Sequence, residues 1–126
     1  MQYFPTWYWT KGLHDAVIRK ISFRTLDYDY RQARPIRNYL IMELDSRNAL
    51  FDTEIVAIKF YNAKVVAGDT DICGYWWLND ELSCEVKKYT LTIHVAKKKG
   101  ENILLQISFD SAEVLRFDSA EVLRNP

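Results

Sequence analysis

Apolar and polar residues alternate along most of this chain at the two-residue period of β-strands, and no window sustains a helical period together with a cap. The alternation is cleanest in YTLTIHV, where Tyr89, Leu91, Ile93 and Val95 share one side while Thr90, Thr92 and His94 take the other. ENILLQISF mirrors it through Ile103, Leu105, Ile107 and Phe109. The KKKGE between them supplies a glycine-bearing turn, so these two stretches are predicted to pair antiparallel.

Three further strands precede them. In VIRKISFRTL, Val17, Ile21 and Phe23 oppose Lys20, Ser22 and Arg24, which predicts a half-buried strand. Leu26, Tyr28 and Tyr30 fall on the other parity, so either a bulge or a new strand follows. The run from Tyr39 to Met42 is apolar on both parities, as in a central strand with two covered faces. In EIVAIKFYNAKVV, Val56, Ile58 and Phe60 alternate with Ala57, Lys59 and Tyr61. Arg31, Arg34 and Arg37 surround Pro35 in a predicted loop, because proline lacks a donor and restricts the residue before it. YFPTWYW near the start reads as an edge strand or a lid. Short helices fit only near residues 47–54 and 76–82, where Asp52 or Asn79 and Asp80 would cap them.

The chain ends in a tandem octapeptide, FDSAEVLR at residues 109–116 and again at 117–124. Two copies are too few and too short for a solenoid, so residues 117–126 are expected to be a duplicated tail.

One stretch breaks the strand rhythm with dense aromatic and acidic chemistry: GDTDICGYWWLNDEL, residues 68–82. Aromatic side chains dominate binding hot spots, and charges at a rim steer partners. Tyr75, Trp76, Trp77, Asp80, Glu81 and Glu85 are therefore the candidate partner-binding residues, an aromatic anchor with an acidic rim suited to a basic partner. Asp69, Asp71, Gly74 and Asp80 also fall at spacings of a calcium loop. Cys73 puts sulfur where oxygen belongs and Asp80 replaces the bidentate glutamate, so an ordinary turn is expected.

Other chemistry is sparse. His14 with Asp15 makes a dyad, but the one further histidine, His94, lies on the polar side of its strand and leaves a three-ligand metal site unfilled. The four glycines, at 12, 68, 74 and 100, form no phosphate loop, and no serine or cysteine sits in a nucleophile signature. No catalytic residue, cofactor or metal is expected. Seventeen basic residues balance seventeen acidic ones, so no net field draws the chain to nucleic acid or to an anionic membrane. Two cysteines, Cys73 and Cys84, are too few for a disulfide framework, and the first residues do not read as a signal peptide; a cytoplasmic location is expected.

The order GLHDAVIRKISF, then strands ending in MEL and IVAIKF, then WWLNDEL, YTLTIHV and ISF resembles small uncharacterised bacterial β-rich families. Some of these are immunity proteins of polymorphic toxin systems with a similar His-Asp-Ala opening, here His14, Asp15 and Ala16. The resemblance implies a protein that acts by binding a toxin, with no catalytic residues to carry over.

At 126 residues the chain is read as one domain, residues 1–126, all-β or β-dominated. Five to seven antiparallel strands are expected in a sandwich or a strongly curved sheet, with at most one or two short helices. The expected function is protein binding without enzymatic activity, and a homo-oligomer is compatible with it. The alternative is a small-ligand carrier whose barrel or half-barrel pocket is lined by Trp7, Trp9, Tyr39 and Tyr89.

Overall fold

The computed structural model describes residues 13–47, 55–116 and 120–124, with backbone alone for 120–124, Pro35 and Arg116. Nine strands run through them: β1 (Val17–Asp29), β2 (Arg34–Asp45), β3 (Ile55–Tyr61), β4 (Lys64–Ala67), β5 (Tyr75–Glu85), β6 (Lys88–Ala96), β7 (Ile103–Phe109), β8 (Ser111–Arg116) and β9 (Ala120–Arg124). They form one antiparallel sheet in the order β4-β7-β6-β5-β1-β2-β3-β8-β9. Among the described residues there is no α-helix, and none is long and apolar enough to cross a membrane. The helix considered at residues 76–82 is strand β5, and most of the one at 47–54, like the YFPTWYW segment, lies outside the described residues.

The strand count exceeds the expected five to seven because two long ribbons are kinked. β3 runs into β4 across Asn62 and Ala63, and β7 runs into β8 across Asp110. The kinks lie side by side: β3 pairs with β8 while β4 pairs with β7, so both ribbons turn the same corner. Asn62, at a positive φ of 53° that asparagine tolerates better than most residues, donates its side-chain amide to Asp110 Oδ2 at 2.8 Å. Asn38 seals the same corner, its amide donating to the Ala63 carbonyl and its Oδ1 accepting the Ala63 N–H.

The corner lets one sheet cover its own apolar face. Leu40 and Met42 from β2, Ile58 and Phe60 from β3, Leu91 and Ile93 from β6, Ile107 and Phe109 from β7, and Ala112 and Val114 from β8 are all fully buried in one cluster. Phe109 meets Phe60 edge to face at 4.9 Å and stacks on Tyr89 at 5.5 Å, which ties the two limbs together. The predicted β6–β7 hairpin forms, with Leu91 opposite Ile107 and Ile93 opposite Leu105.

Bulges overturn the predicted parity elsewhere. A register shift between Ile18 and Lys20 puts buried Ile18, in place of Val17, on the core face; Ile21 and Phe23 keep the expected side, opposite buried Met42 and Leu40, although Phe23 is 44% exposed. A shift between Ile55 and Ala57 likewise buries Ile55 and turns Val56 out. Pro35 belongs to β2, not to a loop, and it pairs with Tyr28 next to a further register shift, where a missing N–H is tolerated. Within the expected duplicated tail, β9 pairs with β8 from Leu115–Ala120 to Ser111–Arg124.

Candidate interaction surface

The start of β1 is stitched to the start of β5 by backbone bonds. Asp15 N–H donates to the Trp77 carbonyl and Trp77 N–H to the Ala16 carbonyl, each at 2.8 Å, while Gly74 N–H reaches the Ile18 carbonyl at 2.7 Å. Val17 consequently lies opposite Trp76. This stitch puts His14 and Asp15 beside the tryptophan pair. His14 Nδ1 and Asp15 Oδ2 are 3.1 Å apart, both about half exposed, and Asp15 holds a positive φ of 70°.

Which tryptophan faces solvent is decided by a bulge. Counting back from buried Leu82 at period two would turn Asp80, Leu78 and Trp76 inward. A register shift between Trp77 and Asn79 inserts one residue, so Trp77 opposes buried Val95 and has no exposed surface, whereas Trp76 is 53% exposed. Trp77 is therefore withdrawn from the anchor that the sequence assigned to it. Asp80 is also turned inward: opposite Ile93, its Oδ2 accepts the Trp77 indole N–H at 2.6 Å. A buried indole needs such an acceptor, so this carboxylate serves the core.

Of the remaining candidates, Glu81 and Glu85 are exposed farther along β5, opposite Thr92 and Lys88. Tyr75 packs its ring against the core and lies 5.9 Å from Lys97 Nζ, a cation–π contact. Trp76 instead lines a groove of about 440 Å³, together with Leu78, Asp15 and the turn bearing Lys97, Lys98, Lys99 and Glu101. The turn is fixed by its own bonds. Glu101 N–H closes it onto the Lys98 carbonyl at 3.2 Å, Gly100 supplies the positive φ of 85° at its third position, and Glu101 Oε1 accepts the Lys97 N–H. The structure thus joins three features that the sequence keeps apart: the His-Asp pair, the tryptophan and the lysine run. The groove lining combines Trp76 and Leu78 with three lysines and the carboxylates of Asp15 and Glu101.

A second exposed surface lies on the β1–β2 hairpin. β5 pairs with β1 only at Val17 and Ile18, and β3 meets β2 only from Tyr39 to Glu43, so the distal hairpin stands beyond its neighbours. It carries Phe23, Leu26, Tyr28, Tyr30 and Ile36, all exposed, with Tyr30 at 87%. The parity change at Leu26 was its signal in the sequence.

Of the residues assigned to a carrier pocket, Tyr39 and Tyr89 are not brought together. Tyr89 is fully buried under Phe109, whereas Tyr39 lies on the opposite face of the sheet, 5.9 Å from Tyr61 and under Lys59. Trp7 and Trp9 are outside the described residues. Around Asp69 the loop is closed by an aspartate turn, the Asp71 N–H bonding Asp69 Oδ1 at 3.0 Å, and Gly74 takes a φ of 86°. Among the described residues no group of three or more His, Cys, Asp or Glu side chains gathers as a metal site. Cys73 is exposed and Cys84 half-buried, and they are not joined. A scan against family models found no matching family, and searches of curated proteins and of solved structures found no match.

Proposed function

We propose that this protein is a non-enzymatic protein-binding domain that receives its partner at the Trp76 groove. The observation that carries the reading is the half-exposed indole of Trp76 in the lining of a groove it shares with Leu78, Asp15, Lys97, Lys98, Lys99 and Glu101. An indole that a folded chain leaves half in water is available as an anchor, and desolvating it against a partner releases binding energy of hot-spot size. Three lysines against the carboxylates of Asp15 and Glu101 leave the lining net positive, which favours a segment that carries a carboxylate beside an apolar side chain. The basic partner expected from the acidic rim is a weaker fit, because Asp80 is engaged by Trp77 and Glu81 and Glu85 lie away from the groove lining.

Toxin neutralisation of the immunity type is the form of this function we favour. The His14-Asp15-Ala16 opening that carries the resemblance flanks the groove itself, through Asp15 in its lining and Ala16 bonded to Trp77. Affinity capture from the source cell, compared between the native chain, Trp76→Ala and a Lys97→Glu/Lys98→Glu variant, tests it. The same partner should be lost from both variants while the fold is kept, and a partner retained equally by all three would refute the assignment to this groove.

A further inference from the structure

The sheet has two ends, and they are finished differently. β4 is four residues long, starts on Lys64 and carries a register shift between Val65 and Ala67, three devices that blunt an edge against pairing. β9, at the other end, has five residues, Ala120-Glu121-Val122-Leu123-Arg124, with neither proline, lysine nor a register shift, and among the described residues no strand lies beyond it.

The direction of its backbone groups follows from the ladder. Asn62 N–H donates to the Asn38 carbonyl, continuing a register in which Leu40 opposes Phe60 and Met42 opposes Ile58. In an antiparallel pair a residue's N–H and C=O point to the same side, and the side alternates along the strand. Even-numbered residues of β3 therefore bond towards β2 and odd-numbered ones towards β8. Carried through Lys59–Glu113 and Tyr61–Ser111, then through Ala112–Leu123 and Val114–Glu121, this alternation aims Glu121 and Leu123 at β8. The N–H and C=O groups of Ala120, Val122 and Arg124 are left at the open edge.

We propose that this edge pairs with β9 of a second copy of the chain, antiparallel about a two-fold axis at Val122, to make a homodimer with one continuous sheet. Two identical edges can meet only with residues of the same parity opposed. The register centred on Val122 overlaps all five residues: Val122 faces its own copy, and Ala120 faces Arg124 of the partner at both ends. Each of these three pairings exchanges two backbone hydrogen bonds, and Glu121 falls opposite Leu123, so no like charges are opposed. The octapeptide's ability to pair antiparallel with its own sequence is visible in the molecule, because β8 and β9 are two copies of it. Those two join through unlike edges, with Ala112 opposite Leu123, so β9 presents outward the same three positions that β8 presents to β9. The duplication has renewed the edge it covered. None of the groove residues belongs to this edge.

Sedimentation velocity of the purified full chain over a range of concentrations tests it, with the mass expected to rise from the 14.9 kDa of one chain towards twice that value. Val122→Pro removes only an edge-facing N–H and leaves the bonds to β8 in place, so it should remain at the mass of one chain. Shortening the chain after Arg116 is not a suitable control, since β8 would then expose Ala112, Val114 and Arg116, the same sequence. Register is read in a Cys73→Ser/Cys84→Ser background: Val122→Cys should cross-link the dimer on oxidation, the two Cα atoms of a hydrogen-bonded pair lying about 5.5 Å apart, and Glu121→Cys should not. A chain that stays monomeric at every concentration, whether the edge serves another protein's strand or none, overturns the proposal. So does a dimer that survives Val122→Pro, or one that Val122→Cys fails to cross-link.

Discussion

Truncating two adjacent tryptophans separately should have unlike consequences. Trp77 is fully buried against the core and its indole N–H is bonded to Asp80, so Trp77→Ala leaves a cavity and strips the carboxylate of that donor. Removal of a buried tryptophan costs about 3–5 kcal/mol, a large part of the roughly 5–15 kcal/mol that holds a domain together. Trp76 is 53% exposed. Taking a tryptophan's burial on folding as about 200 Å², the half of it realised here is worth at most about 2–3 kcal/mol at 25 cal/mol per Å². That is an upper bound, because a compact denatured chain already covers part of that surface and alanine keeps the Cβ, so a loss of about 1–1.5 kcal/mol is expected. Urea unfolding followed by circular dichroism, with the two variants compared at equal slope, measures both values. If Trp76→Ala cost as much as Trp77→Ala, the bulge at Leu78 would not have sorted the pair, and Trp76 would be a core residue and not an anchor.

Three other perturbations probe the scaffold. Gly68 has a φ of 90°, and a Cβ there would sit 2.3 Å from the Leu104 carbonyl oxygen, while Gly74 and Gly100, also at positive φ, have open space. Gly68→Ala should thus lower the thermal midpoint well beyond the other two alanine variants, whose cost is the left-handed backbone alone, about 1–2 kcal/mol; equal midpoints would contradict the close approach. Asn62→Gly keeps the positive φ and removes only the bond to Asp110, an interaction with a charged acceptor worth about 1.5–3 kcal/mol, and a double-mutant cycle with Asp110→Ala should recover most of that as coupling. The Arg47 guanidinium, hydrogen-bonded to Asp45, holds that carboxyl at a pKa of about 2, below its ordinary 3.8. Its folded pKa is depressed, so its stabilisation is present above the unfolded value and is lost as pH falls through the folded one. The Asp45→Asn variant should accordingly be slightly less stable than the native chain above pH 4 and should converge with it as pH falls towards about 2, which urea midpoints at graded pH would show.

The sequence carried the all-β class, the β6–β7 hairpin and the inward set Tyr89, Leu91, Ile93 and Val95, because that hairpin lies between neighbours on both sides and buries one face without interruption. It misjudged positions where one inserted residue switches the faces. Ile18 takes the inward place expected of Val17, and Ile55 that of Val56, at two such shifts, and a third removes Trp77 from the two candidate anchors while Trp76 stays exposed. Bulges leave almost no mark in composition, since the extra residue can be as ordinary as Leu78. The corner was equally hidden: Asn62 and Asp110 are far apart in the chain and gain meaning only when β3 lies beside β8. For the groove, each ingredient could be read, yet Lys97–Lys99 looked like a solvated turn and Asp15 like the start of a strand until the Ala16–Trp77 bonds placed them together.

The shared corner also dictates an order of assembly. β1, β2 and β3 form one meander and β5, β6 and β7 another, each held by pairings between strands close in sequence. The two are united by β3 on β8, β4 on β7 and only two residue pairs between β1 and β5. Contacts such as Tyr61 with Ser111 close a loop of about fifty residues, and such closures govern folding rate. Pairing within each meander closes only short loops, whereas their meeting along the kinked ribbons carries the larger closure cost. Until it happens, each half exposes the apolar face that the other will cover.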